Sequence, residues 1–121
     1  MDWLQYVLLG LVVLWLFLRL KPVPGVQNIN AETLREKMGK GGKIKIVDVR
    51  EPYEFQSGHI QGAVNIPLGR IAFVARKELS PDEEIVLVCR SGNRSMQAAR
   101  KLSRMGYRRL YNLSGGMMMW K

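Results

Sequence analysis

The sequence predicts an α/β domain with a central, mainly parallel sheet flanked by helices, preceded by one N-terminal transmembrane helix. Three observations predict it. An uncharged, almost wholly apolar run fills residues 3–18. After it, short apolar or β-branched runs alternate with helix-period segments, the pattern of a parallel sheet with crossover helices. The run IVLV at 85–88 is apolar throughout, as in a strand covered on both faces. The 121 residues then divide into an anchor at 1–21, a linker at 22–27 and one domain at 28–121, long enough for one modest core.

The first element, WLQYVLLGLVVLWLFL with Arg19 and Leu20, would be a helix of ~27 Å, close to the ~30 Å hydrocarbon core. Arg19 and Lys21 could snorkel to the headgroups, while Trp3 and Tyr6 suit the opposite interface. The basic start and small-residue exit of a cleaved signal peptide are missing, and a surface helix of a small domain should be apolar on one side only. Asp2 before the run and Arg19 and Lys21 after it place the positive flank C-terminally. The expectation is therefore a single-pass cell-membrane protein, in contact with lipid through residues 3–20, whose remaining domain faces the cytoplasm.

Pro22, Pro24 and Gly25 form a tether. Asn30 is a good N-cap for a helix over 31–38, which the glycines at 39, 41 and 42 end. IKIVDV at 44–49 reads as a buried strand, 52–56 as a short helical turn, and 63–66 as a small strand stopped by Pro67. Residues 70–77 look helical, and Ser80-Pro81-Asp82 turns into the IVLV strand. Met96, Ala99 and Leu102 give 95–105 a helical face, with Gly106 as its C-cap. Residues 109–113 are a last strand before the Gly115-Gly116 turn, and 117–120 an apolar turn closing the core.

Composition narrows the function. Hydrophobic residues at 47% and charged residues at 24% are in the globular range. The net charge of +9 suggests an anionic neighbour, whether lipid, nucleic acid or a small substrate, or else a solvated basic face beside a membrane. The basic residues do not interleave with aromatics as on a nucleic-acid stacking surface, so no nucleic acid is expected. A single cysteine excludes an intramolecular disulfide. With one histidine there is no Cys/His cluster at ligand spacing, so most metal sites are excluded.

The chemistry points to the loop after IVLV. Cys89 ends that strand, and Arg90, Ser91, Gly92, Asn93, Arg94 and Ser95 lead into the next helix. Ligands of open α/β sheets bind beyond the carboxyl ends of the strands. A loop curling into a helix N-terminus can aim backbone N–H groups inward, and Arg90 and Arg94 add full charges if they turn in. Each favours thiolate over thiol at Cys89. A buried, inert strand-end cysteine is the competing reading, but packing alone gives no reason for two arginines and a glycine beside it.

Four segments then resemble the single-domain rhodaneses, and in particular the small bacterial type anchored by an N-terminal helix. Val47-Asp48-Val49-Arg50-Glu51 through Glu54-Phe55, Gly58-His59-Ile60-Gln61-Gly62-Ala63-Val64-Asn65-Ile66-Pro67, residues 85–95, and Leu113 to Trp120 all match in order. The resemblance implies a sulfurtransferase that moves sulfane sulfur from thiosulfate or a persulfide to a thiol or cyanide through a Cys89 persulfide. Arg90 to Ser95 would hold a small anionic donor, a thiol or thioredoxin-like protein would serve as acceptor, and no metal or organic cofactor would be needed. It also implies a scaffold role for His59, while Arg50 either braces loops with Asp48 or lines the pocket. Two other readings stay open: a non-catalytic rhodanese-like binding module, and a cysteine phosphatase or arsenate reductase. The second commonly places one more residue between Cys and Arg than the four between Cys89 and Arg94.

Overall fold

The computed structural model describes residues 2–20, 25–41 and 43–120. The elements are α1 (Trp3–Leu20), β1 (Val26–Ile29), α2 (Ala31–Gly39), β2 (Ile44–Asp48), α3 (Pro52–Gln56), β3 (Val64–Asn65), α4 (Leu68–Glu78), β4 (Glu84–Val88), α5 (Asn93–Arg104), β5 (Leu110–Leu113) and α6 (Gly116–Met119). The five strands form one sheet in the order β1-β5-β4-β2-β3, and every pairing is parallel. The expected α/β architecture with a parallel sheet is present.

Successive strand residues point to opposite faces, which sorts the core into two layers. Val47, Ile85, Leu87 and Cys89 face α4 and α5, where they meet Ile71, Ala75, Ala98, Ala99 and Leu102. Ile46, Val86 and Val88 face the other side and pack with Leu34 of α2, Leu113, Met117 and Trp120. Alternation along β4 thus puts Cys89 on the α5 side of the sheet. Asn30 caps α2 as expected, its side chain accepting from Thr33 N–H at 2.8 Å. Tyr107, just past α5, donates its hydroxyl to the Leu79 carbonyl at 3.0 Å and so ties α5 to the end of α4.

Some boundaries differ from those expected. α4 begins at Leu68 and α5 at Asn93, each earlier than the apolar spacing indicated. The edge strand β1 (VQNI) lies partly within the segment expected as linker; it is short, and its Gln27 and Asn28 are exposed, so no apolar alternation marks it. Its partner β5, in register from Val26 with Leu110 to Ile29 with Leu113, is what fixes it as a strand. Pro22 and Pro24 of the expected tether, and Lys21 of the expected positive flank, lie outside the described residues.

The transmembrane anchor is corrected. A helix does form over Trp3–Leu20, but among the described residues no helix is long and apolar enough to cross a membrane. Length is the reason: 18 residues rise only ~27 Å, and Gln5 at one end and Arg19 at the other leave an unbroken apolar stretch shorter still. The single-pass topology and the cell-membrane placement with a cytoplasm-facing domain, both inferred from that anchor, lose their basis.

Candidate active site

β4 delivers Cys89 to the carboxyl edge of the sheet, and the chain then turns tightly into α5. Gly92 makes the turn with φ 107°, a left-handed conformation that L side chains rarely adopt. The geometry aims its N–H at Cys89 Sγ, 2.9 Å away. Ser95, buried in the first turn of α5, brings its hydroxyl to 3.3 Å from the same sulfur.

A second element holds the loop from behind. At the N-terminus of α6, Met117 N–H donates to the Cys89 carbonyl at 2.8 Å and Met118 N–H to the Arg90 carbonyl at 3.0 Å. Gly116 lets the two backbones meet: a Cβ there would overlap the Cys89 carbonyl oxygen and lie 2.6 Å from that of Arg90.

Cys89 is only 1% exposed, and its neighbours on one side are core aliphatics. Burial pushes its thiol up. Hydrogen bonding between the sulfur and the Ser95 hydroxyl, and from the backbone N–H groups of Ser95, Gly92 and Ser91, outweighs that, and the net shift is downward. The sulfur is therefore buried in a ring of donors, with thiolate favoured by hydrogen bonding.

The arginines divide. Arg90 is exposed and lines a cavity of about 330 Å³ with Arg50, Glu54, Ser57, Met117 and Met118. Arg94 makes a bidentate pair with Glu54 of α3, at 2.6 and 2.9 Å, instead of pointing freely into the loop. The Arg94 guanidinium holds the Glu54 carboxyl at about 2, well below its ordinary 4.5. Arg94 still couples electrostatically to Cys89. Ser91 and Asn93 are exposed at the loop surface.

Arg50 is bound to Asp48 through Nε and Nη2 at 2.7 to 3.0 Å and also donates to the Gly58 carbonyl at 2.7 Å. It braces the loops and lines the cavity at once. His59 stacks on Phe55 at 3.7 Å between ring centroids, and its Nδ1 lies 2.8 Å from the Phe55 carbonyl, which occupies it in the scaffold. Among the described residues no group of three His, Cys, Asp or Glu is placed to hold a metal ion.

Two features were not foreseen. Glu54 had no marker as a partner for Arg94, because 40 positions separate them and only the packing of α3 beside the loop joins them. Asn112, buried in β5, accepts from the Ser95 hydroxyl and donates to Asn28 at 3.0 Å. A buried polar residue in the strand LYNL was the only available sign of it.

Residues 30–121 match the rhodanese family, described as a rhodanese-like domain. The putative sulfur carrier protein YrkF of Bacillus subtilis is 37% identical over 95 residues, covering 78% of this chain and 51% of that protein, so the chain spans about half the length of this relative. The thiosulfate sulfurtransferase GlpE of Pseudomonas aeruginosa is 35% identical over 96 residues, covering 78% of this chain and 84% of that protein. Among solved structures, a rhodanese-related protein from Thermoplasma volcanium superposes with a TM-score of 0.69 at 33% identity, covering 78% of this chain and 89% of that one.

Proposed function

The chain belongs to the rhodanese-like sulfurtransferase family, and on that premise we propose that residues 28–121 transfer sulfane sulfur by way of a persulfide on Cys89. The Cys89 thiolate attacks the outer sulfur of a donor such as thiosulfate. A Cys89 S–S bond forms, the sulfur–sulfur bond of the donor breaks, and sulfite leaves with the electron pair. An acceptor thiolate or cyanide then attacks the terminal sulfur, and the Cys89 thiolate is released, which makes the cycle ping-pong.

The observation that carries this reading is the Gly92 N–H held 2.9 Å from Sγ at the start of α5. That donor, with the N–H groups of Ser91 and Ser95, supports an ionised sulfur at a position where a terminal persulfide anion would also need donors. Arg90 would orient the anionic end of the donor from the cavity, and Ser91 and Asn93, exposed on the loop, would offer further donors. Arg94 would keep positive charge behind the loop, although Glu54 shares it.

The test is mass spectrometry of the full chain after incubation with thiosulfate, alongside steady-state transfer to cyanide and to a dithiol. The expected result is one added sulfur atom on Cys89, and no turnover by Cys89→Ser with an unchanged fold. Turnover by Cys89→Ser would refute the proposal. A Cys89 that never gains sulfur would favour a binding module instead, and hydrolysis of an aryl phosphate without sulfur transfer would favour the phosphatase reading.

A further inference from the structure

Ser95 has one hydroxyl proton and three acceptors around it. Its Oγ lies 3.3 Å from Cys89 Sγ, lies 3.1 Å from the Gly92 carbonyl oxygen, and donates to Asn112 Oδ1. Behind it, Asn112 Nδ2 donates to Asn28 Oδ1 at 3.0 Å. The row Cys89, Ser95, Asn112, Asn28 runs from the buried loop across β5 to an exposed side chain on the edge strand β1.

With the Ser95 proton on Asn112, the side-chain row suits a protonated Cys89, whereas the loop N–H groups favour the thiolate. The thiol donates to Ser95 Oγ, Ser95 donates to Asn112, and Asn112 donates to Asn28. A thiolate can only accept, so for Ser95 to stay bonded to it the hydroxyl must turn its proton to Sγ, beside the Gly92 N–H that already donates there. That would leave Asn112 Oδ1 facing the Ser95 oxygen with no proton between them, in a site where an unmade hydrogen bond is costly. A half-turn of the Asn112 amide removes the conflict. Nδ2 then donates to Ser95 Oγ, and Oδ1 faces Asn28, which is exposed and free to turn its own amide and donate. Every link survives with its direction reversed.

We propose that Asn112, with Asn28 behind it, is a positioning residue whose amide turns over as Cys89 loses and regains its proton, so that Ser95 can donate to the thiolate. No proton travels along the row; the one released by Cys89 goes to solvent. The charged groups facing the loop are Arg94 with its partner Glu54, Arg90 within the loop, and the Asp48–Arg50 pair at the end of the neighbouring strand β2. None of these is hydrogen-bonded to Ser95 or Asn112 in the described structure, so the row is a separate influence on the sulfur. The inference rests on Cys89 as the reacting group, but its test needs no sulfur transfer.

Asn28→Asp supplies a surface test. A carboxylate cannot donate, so it pins Asn112 in the orientation that suits the thiol. The pH midpoint of Cys89 alkylation by iodoacetamide in the full chain should rise by about one unit. The rise should persist at high salt, which screens a charge at an exposed position but not a fixed hydrogen-bond direction. In a direct readout, the side-chain amide resonances of Asn112 should titrate with the Cys89 midpoint and stop doing so in Cys89→Ala. Resonances that stay flat through that midpoint would overturn the proposal, as would an Asn28→Asp midpoint that is unchanged or that returns to the parent value in salt. If the row titrates as described but Cys89 takes no sulfur from any donor, the transfer reading fails and the turnover of the Asn112 amide stands.

Discussion

Gly116→Ala is the substitution on which the loop geometry can be judged most sharply. Gly116 has φ +53°, and a Cβ built on it would lie 2.6 Å from the Arg90 carbonyl oxygen and 2.7 Å from its carbon, with the Cys89 oxygen nearer still. Ordinary contact begins at 3.4 Å, so the loop carbonyls must retreat by roughly 1 Å. The left-handed backbone costs an alanine about 1 kcal/mol. The two hydrogen bonds from Met117 and Met118 to the loop, at 2.8 and 3.0 Å, would stretch or break, at about 1 kcal/mol each. The expected destabilisation is therefore about 3 kcal/mol, read from urea unfolding followed by circular dichroism. A displacement of about 1 Å at the carbonyl of Cys89, the proposed nucleophile, should also lower kcat/KM for the proposed sulfur transfer about a hundredfold. Gly69→Ala is the matched control: it lies in the first turn of α4, its φ is not positive, and an added Cβ meets nothing within 4 Å. That variant should be as active as the parent and about 0.5 kcal/mol more stable. If Gly116→Ala unfolds within about 0.5 kcal/mol of the parent and keeps its activity, α6 does not hold the loop as described.

Arg50→Ala should cost about 3 kcal/mol or more in urea unfolding, because it strands the fully buried Asp48 carboxylate without its partner; a loss below about 1 kcal/mol would mean the pair contributes little. Glu54 has a folded pKa of about 2 against an ordinary 4.5, so the stability it confers is fully present above 4.5 and is lost as pH falls through about 2. The pair with Arg94 is partly solvated, so that contribution is about 0.5 to 1 kcal/mol, and Glu54→Gln should remove it at pH 7 while flattening the pH dependence between 5 and 2. An unaltered acid limb in that variant would contradict the assignment. Tyr107→Phe leaves the buried Leu79 carbonyl without its donor and should cost about 1 to 2 kcal/mol by the same assay.

Much of the fold was legible because it follows from periodicity and local chemistry. The apolar run at 85–88 and the buried-strand segment IKIVDV at 44–49 marked β4 and β2, and Asn30 marked the start of α2, since caps and short apolar runs act over a few residues. β1 was not legible, since its strand state depends on β5, more than 80 positions away in the register. The N-terminal helix shows the opposite case. Its apolar composition was plain in the sequence, but the judgement that it spans a membrane depended on a length margin of a few ångströms, and the helix falls on the short side of it.

The candidate site divides in the same way. The residue types from Cys89 to Ser95, following a buried strand and preceding a helix, were sufficient by themselves to locate a cysteine among backbone donors, because a strand–loop–helix turn is a local arrangement. Only the tertiary structure decided where the charges and amides went. It turned Arg94 to Glu54, brought Gly116 against the loop carbonyls, and set Asn112 behind Ser95. These contacts join residues far apart in the chain, and hydrogen bonds over such separations leave no period or spacing from which they could be read.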